Sequence, residues 1–486
     1  MGTRAIAALF LVACGSGSTS GTLASIRARG EITWGADLQG GEPYIYEDPA
    51  DATHLVGFEV DIMDELARRL GVKQRMVQYN WSNLVPSLER GDFDIIFTGL
   101  EATAERADRI LLTQPYYVYA ETLAVRRGSS IRSLADLRGK RVGTLNQSYA
   151  YDLLRAQPVD IAVYEGDEEP YVDLQYGRVD AVLLDNIIAA RYGCVPSHPD
   201  VTCLPGDVAL GTYVAGVRKT DRELARAIDE AFAAMRADGT LEQILKKSRL
   251  WDCRQTQAPP VVAAGEPPRV FDREQAWLFV QGAWVTLWIS VAAFLLAVPI
   301  GAGLATARVY GGPLARGLAR AYIELFRGTP VLLQLYVIYY GLAPYWALGP
   351  AQAAILGLGL NYGAYEAEVY RASLLAIPRG QTEAAKALGL APTQTLRHVL
   401  LPQALRHALP PMTNDFVSLL KDSSLVSVIT VIELTKRMTI SAVDLRGWLV
   451  PGIACALLYL ALSLPLSELA RRLERRLARD QRPQAL

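Results

Sequence analysis

The spacing of apolar positions changes near the middle of the chain. In the first half, short apolar runs such as 31–35 and 95–97 alternate with amphipathic stretches. Apolar residues at 58, 62, 63, 66 and 70 share one helical face. Alternating strands and helices predict an α/β domain with mostly parallel sheets, and a second block of this kind, beginning near residue 139, predicts two lobes with a cleft between them.

Long apolar runs dominate the chain beyond residue 275. Each is near the roughly 20 residues that cross a bilayer core. They predict five transmembrane helices, at 280–306, 322–344, 350–372, 411–434 and 448–468. The fourth contains Asn414, Asp415, Lys421 and Asp422, so a partly buried or re-entrant helix stays open there. The fold class expected is therefore a two-lobed α/β domain, 25–253, a Pro-rich linker, 254–272, and an all-α membrane domain, 273–486.

Charge gives a local signal rather than a global one. The 49 Lys and Arg residues nearly balance the 50 Asp and Glu residues, so nothing suggests a nucleic-acid partner. Basic residues cluster in alternate connections, at 308–320 and 379–406, and in the tail at 471–482. The positive-inside rule places these segments in the cytoplasm and the first half outside it, although 435–447 weakens the asymmetry.

The N-terminus and two cysteines indicate export. Arg4 precedes an apolar stretch at 5–13, and 11–15 resembles a lipoprotein processing box, so residues 1–24 are predicted to be an export signal and tether. Lipidation at Cys14, ordinary cleavage and an uncleaved start all stay open. Cys194 and Cys203 bracket a short segment and are predicted to form a surface disulfide, with two unpaired thiols as the alternative. No cysteine has metal-ligand spacing to a histidine, so no metal site is expected.

The connection after the third predicted span carries the most specific motif. It reads Glu383-Ala384-Ala385-Lys386-Ala387-Leu388-Gly389, followed by Leu-Pro-Gln-Ala at 401–404. This pattern resembles the cytoplasmic loop of ABC importer permeases, and 324–330 and 420–425 are similar to the polar amino-acid branch of that family. The resemblance implies that loop 381–404 docks on a cytoplasmic ATPase through Glu383, Ala384, Ala385, Gly389 and Pro402. The residues alone predict a short amphipathic helix ended by Gly389, and a plain surface helix stays open.

The first half resembles the amino-acid-binding proteins of the same importers over most of 25–253. Matching stretches lie at 57–61, 84–88, 103–106 and 180–185. A bound zwitterion needs a cation for its carboxylate and an anion or carbonyls for its ammonium. The residues that the resemblance assigns are Arg106, Thr103 and Ser148 for the carboxylate, Asp185 and Gly99 for the ammonium, and Tyr44 and Trp81 for the side chain. Asp37 and Glu101 could add negative charge near the end of that side chain, which would suit a polar or cationic amino acid.

Other interpretations of these residues stay open. Arg106 is also consistent with a surface arginine after a turn, and Asp185 with a helix N-cap. The two aromatic residues are equally consistent with the core. Asp37 and Glu101 are equally consistent with solvent-facing positions. The family's second-lobe Gly-Thr pair appears here as Gln147-Ser148, which makes the contact from Ser148 a less secure inference.

The resemblance implies the permease and binding subunit of an ATP-driven amino-acid importer in a bacterial cytoplasmic membrane, multi-pass, with an extracytoplasmic binding domain. The chain contains no Gly-x-x-x-x-Gly-Lys-Ser/Thr phosphate loop. We therefore expect no cofactor and no enzymatic activity in this chain, with ATP bound by a separate ATPase subunit. The other implied partners are membrane lipid and a second copy of the chain, with pairing to a different permease left open.

Two rival functions remain at this stage. A glutamate-receptor-type ligand-gated channel would need a pore segment inserted between the lobes, and the lobes here run uninterrupted. A cell-wall lyase would need a soluble catalytic domain after residue 270, where the apolar runs lie. The residues do not define which amino acid is carried, because specificity depends on pocket geometry.

Overall fold

The computed structural model describes residues 21–257, 270–445 and 447–479. The export-signal prediction, with Cys14, and most of the linker prediction lie outside these residues. Contacts divide the chain into two units, Met1–Ala120 with Ala209–Gly265, and Glu121–Val208 with Glu266–Leu486. We call the described residues of the first unit the first lobe, 121–208 the second lobe, and the described residues from 270 onward the membrane domain.

The first lobe is built on a five-stranded mixed sheet of order β4-β1-β5-β13-β6, in which β1 pairs parallel with β4 and β5. The strands of the first lobe, which include three outside this sheet, are β1 Glu31–Ala36, β2 Tyr46–Asp48, β3 Asp51–Val56, β4 Lys73–Gln78, β5 Ile95–Ile96, β6 Ile110–Leu112, β12 Ala209–Tyr213 and β13 Gly216–Arg218. Its helices are α1 Thr22–Arg29, α2 Phe58–Leu70, α3 Leu84–Arg90, α4 Ala104–Arg109, α8 Arg222–Ala237 and α9 Thr240–Lys247. Because α1 begins at Thr22, the end of the predicted tether is helical.

The helix α2 confirms the predicted apolar face. Phe58, Ile62, Met63, Leu66 and Leu70 are all buried along it. Acidic residues occupy its first turn and basic residues its last, which complements the helix dipole. The helix ends where the chain turns into a left-handed glycine, the usual way to stop a helix.

The second lobe has a sheet of order β11-β7-β10-β8-β9, with β8 parallel to both β9 and β10. Its strands are β7 Tyr117–Arg126, which begins in the first unit, β8 Arg141–Leu145, β9 Asp160–Tyr164, β10 Ala181–Asp185 and β11 Val201–Cys203. Its helices are α5 Tyr149–Arg155, α6 Glu169–Gln175 and α7 Asn186–Ile188. The predicted disulfide is confirmed: Cys194 and Cys203 are bonded, with their Cα atoms 5.9 Å apart.

The membrane domain is all helical among its described residues. The helices are α10 Arg273–Tyr310, α11 Pro313–Gly328, α12 Val331–Tyr336, α13 Pro350–Leu375, α14 Arg379–Ala387, α15 Pro392–Thr395, α16 Leu401–Asp422, α17 Leu434–Asp444 and α18 Leu449–Arg479. A π-helical turn, Val337–Gly341, continues α12. Small residues allow α10 and α13 to pack closely: a Cβ on Gly363 would lie 2.7 Å from Ile300.

Each of the five predicted spans overlaps a helix, but two of the predicted boundaries are wrong. The span 322–344 is interrupted at Thr329, which is extended (φ −120°, ψ 145°) because the following proline disfavours a helical conformation there. The span 411–434 corresponds to α16, which begins ten residues earlier at Leu401 and ends at Asp422. The helix extends N-terminally into a polar segment that hydropathy does not mark, and it gives way to a 3-10 helix, Ser423–Ile429, before the predicted end.

Two helices among the described residues are long and apolar enough to cross a membrane, Arg273–Tyr310 and Leu449–Arg472. Both keep large apolar side chains on their outside. Trp277, Trp284 and Leu295 on α10 and Leu457 on α18 are more than half exposed. An apolar surface of this kind suits lipid or a neighbouring subunit.

Candidate functional site

Arg106 lies at the centre of the predicted site residues in the first lobe. Thr103 is the N-cap of α4, and its hydroxyl accepts the N–H of Arg106 at 3.3 Å. The Arg106 side chain is only 8% exposed, and its guanidinium donates to the Glu101 carbonyl at 2.7 Å and lies 3.6 Å from the Glu101 carboxylate. A guanidinium has five donors, enough for Glu101 and a bidentate carboxylate. The surface-arginine interpretation is therefore wrong for this buried side chain.

Trp81 and Asp37 are connected to this arginine. The Arg106 guanidinium lies 4.8 Å from the centre of the Trp81 ring, a cation–π contact. The carboxylate of Asp37 is buried and accepts the backbone N–H groups of Trp81, at 2.6 Å, and of Gln39, at 3.1 Å. The solvent-facing alternative for Asp37 is therefore wrong. Its carboxylate positions Trp81, and a direct effect on a ligand stays a prediction.

Tyr44 and Gly99 belong to a buried aromatic cluster. The Tyr44 ring packs 5.4 Å from Phe58, and its hydroxyl is 2.8 Å from that of Tyr213. Gly99 has a φ of +56°, and a Cβ there would lie 3.2 Å from the Tyr44 ring. These contacts are those of a core aromatic, so the predicted role of Tyr44 beside a substrate is still untested.

Sequence reasoning gave no role to Glu59, which holds Gly99 in place. Its buried carboxylate accepts the backbone N–H of Gly99 and the hydroxyl of Tyr116. Burial, with the neighbouring Glu59 charge, raises the pKa of Tyr116 well above its usual value, so the phenol stays a donor. The sequence signal that could have identified Glu59 was its position next to Phe58, at the start of the apolar face of α2.

In the second lobe, Ser148 and Asp185 both cap helices. The Ser148 hydroxyl accepts the N–H of Tyr151 at 3.0 Å and lies 3.0 Å from the carbonyl of Leu145. Asp185 Oδ1 accepts the N–H groups of Ile187 and Ile188, at 2.9 and 2.8 Å. The N-cap interpretation of Asp185 is therefore confirmed, and it does not preclude a second role for the carboxylate. Gln147, at the position of the family's glycine, has the left-handed φ of +57° that glycine favours.

The loop 381–404 has the predicted helix. In α14 only Ala385 is buried, whereas Glu383 and Ala384 face outward. Gly389 follows with a φ of +76°. Pro402 is exposed in the first turn of α16. Leu388, at the C-cap of α14, is 81% exposed, so an apolar side chain stands on the outside of this loop.

Two family matches cover most of the chain. Residues 32–249 match the bacterial extracellular solute-binding proteins, family 3. Residues 297–479 match the binding-protein-dependent transport system inner membrane component. A similar relative is the glutamine transport system permease protein GlnP of Escherichia coli K12, 41% identical over 215 residues, covering 43% of this chain and 98% of the relative. The chain belongs to the ABC-transporter permease family.

Other similar proteins each match one half of the chain. The L-cystine transport system permease protein TcyB of Bacillus subtilis is 38% identical over 201 residues, covering 41% of this chain and 86% of the relative. The P235GK mutant of ArgBP from T. maritima is 27% identical, with a TM-score of 0.43, and covers 47% of this chain and 98% of that one. By its two family matches, the permease carries a solute-binding domain in front of its membrane domain within one chain.

Proposed function

We propose that this permease is the binding and translocating subunit of an ATP-driven amino-acid importer. The observation that carries the proposal is the fusion itself: a solute-binding domain precedes a membrane domain that is 41% identical to almost the whole of a glutamine permease. The binding domain lies outside the cytoplasm of a bacterial inner membrane, and a separate ATPase docks on loop 381–404. Two copies of the chain pair in the membrane.

In this proposal Arg106 binds the substrate carboxylate, with Thr103 and Ser148 as hydroxyl contacts. Burial of Arg106 beside Glu101 supports the assignment, because a buried guanidinium of fixed geometry is suited to a bidentate carboxylate. Asp185 binds the ammonium group while it caps α7. Glutamine and cystine, named for the relatives, are the first ligands to test, with arginine as a cationic comparison.

Uptake in proteoliposomes tests the function. The full chain, reconstituted with its ATPase subunit, should accumulate one labelled amino acid only when ATP and Mg²⁺ are present on the cytoplasmic side. A ligand-gated channel would instead pass current without ATP. Ligand-gated conductance that persists without nucleotide would replace the importer with the channel.

A further inference from the structure

A buried ion pair of the second lobe contacts the membrane domain. Arg178 Nη1 and Asp173 Oδ1 lie 2.9 Å apart, and both side chains are at most 5% exposed. Asp173 lies on α6, and Arg178 follows the turn at Gly177. Tyr164, on β9 of the same lobe, donates its hydroxyl to Asp173 Oδ2 at 2.7 Å. The lobe therefore supplies a charge pair that is already neutralised within itself.

The membrane domain completes this contact with one tyrosine. Tyr339 donates its hydroxyl to Asp173 Oδ2 at 2.7 Å, and its carbonyl accepts from Arg178 Nη2 at 2.8 Å. The Arg178 guanidinium also lies 3.9 Å from the centre of the Tyr339 ring. Three different interactions, a hydrogen bond from the hydroxyl, a hydrogen bond to the backbone carbonyl and a cation–π contact, thus converge on a single residue.

The backbone at Tyr339 suits this role. Tyr339 lies in the π-helical turn Val337–Gly341, where the helix that began at Val331 ends. Carbonyls in a last turn lack the next turn's N–H donors and carry partial negative charge. A guanidinium is a favourable partner for such a carbonyl, and π-turns occur frequently at functional sites.

Two further ion pairs link the same two parts. Lys436 Nζ lies 3.1 Å from Glu165, and Arg155 lies 3.3 Å from Asp444. Both membrane-domain partners belong to α17, well separated in sequence from Tyr339. The contact is therefore made by several elements on each side rather than by one flexible pair.

The energetics favour a contact that opens and closes. Removing one partner from a buried charge pair is costly, because the other charge is left without compensation. Separation of the second lobe from Tyr339 avoids that cost, since Asp173 and Arg178 remain paired with each other and Tyr339 is neutral. What is lost on separation is the cation–π contact, two hydrogen bonds and the two ion pairs with α17.

We propose that Asp173 and Arg178 form a docking site through which the second lobe binds Tyr339 in the membrane domain of the same chain, so that substrate is delivered within one polypeptide. This inference rests on the proposed import function for its purpose, but the contact itself can be tested without substrate.

Zero-length crosslinking tests the docking site directly. A carbodiimide should join Glu165 to Lys436 in the full chain in proteoliposomes, and mass spectrometry should find the joined peptides in the band of single-chain mass. Tyr339→Ala and Arg178→Lys should each lower the joined fraction at least threefold. Tyr345→Ala, which removes an exposed tyrosine from the same segment, and Arg132→Ala, which removes an exposed arginine of the second lobe, are the matched controls.

Tyr339→Ala does not change the sequence of the second lobe. Its result therefore stands even if Arg178→Lys impairs folding of that lobe. Any of three results would overturn the proposal. The joined peptides could occur only at the mass of two chains, they could be absent altogether, or the joined fraction could be unchanged in both variants. Calorimetric titration with amino acids on the same samples separates the import function from the docking site. Normal crosslinking with no amino-acid binding would refute the importer and leave the docking site standing.

Discussion

Gly389 offers a sharp test of the proposed ATPase-docking role of loop 381–404, because its substitution changes one conformational preference and little else. Its φ of +76° is left-handed, and a Cβ there would meet no atom within 4 Å. The N–H of Gly389 bonds to the carbonyl of Lys386 at 2.9 Å, and that of Leu390 to Ala385 at 3.1 Å. These two bonds close the end of α14 in a Schellman motif. The cost of a side chain is therefore conformational strain rather than a steric clash.

The size of that strain can be worked out from the backbone. An L-residue in the left-handed region costs about 1–2 kcal/mol, and a β-branched residue is a true outlier there. One or two kcal/mol changes an equilibrium by about 5- to 30-fold. Because α14 has only nine residues and a helix that short is marginal by itself, the strain should unwind its last turn in much of the population.

A series of substitutions at Gly389 separates the effect of backbone strain from the effect of adding any side chain. Asparagine tolerates left-handed angles, so activity should fall in the order Gly389, Gly389→Asn, Gly389→Ala, Gly389→Val. Ligand-stimulated ATP hydrolysis and uptake should be measured in proteoliposomes with the ATPase subunit, beside ligand affinity by calorimetry. Affinity should not change along the series. Gly380→Ala, in the first turn of the same helix and with open space around it, should leave all three measurements unchanged.

Two results would contradict this role of the positive φ at Gly389. One is a Gly389→Val complex that contains the ATPase at the wild-type ratio and retains full stimulated hydrolysis and uptake. The other is an equal loss in the asparagine and valine variants, because the positive φ would then not be the cause. Either result would require another role for loop 381–404.

Three further predictions concern the binding domain. Arg106→Ala should weaken amino-acid binding at least about 30-fold, since losing a buried charge partner costs about 2–5 kcal/mol; affinity within threefold, with Glu101→Gln added to balance the charge, would refute the role. Asp185→Asn keeps a capping oxygen, so hydrogen exchange across 186–193 should stay unchanged while affinity falls at least tenfold; unchanged affinity would leave only the cap. Replacing Cys194 and Cys203, nine residues apart, by serine should lower the local opening free energy by about 2–3 kcal/mol in hydrogen exchange; unchanged protection would contradict this.

Local features of the fold were predictable because their causes are local. The end of α14 at Gly389 follows from one glycine after a short apolar pattern, and the buried face of α2 from its helical spacing. The disulfide between Cys194 and Cys203 closes a short loop. The break at Thr329 was equally local, since Pro330 follows it, yet hydropathy averaged over a span conceals such a break.

Features that depend on distant contacts were not predictable from one sequence. Asp173 and Arg178 are ordinary surface residues in a sequence pattern, and their partner Tyr339 lies 166 and 161 residues away. Nothing in periodicity or composition connects them. For the site, the resemblance supplied the residue types, whereas the second tasks of Asp37 and Asp185, holding Trp81 and capping α7, became visible only from their hydrogen bonds.

The exposed apolar side chains in and beside loop 381–404 have a consequence for biosynthesis. Leu388 is 81% exposed, and Leu401 and Leu405 are each more than two-fifths exposed. If these residues form the ATPase-binding surface, they stay exposed in a newly inserted chain that has not yet bound its partner, and chaperones and proteases can then bind them. Cellular abundance of the permease should then depend on how soon the ATPase is made, and synthesis of both from one transcript would protect the chain during assembly.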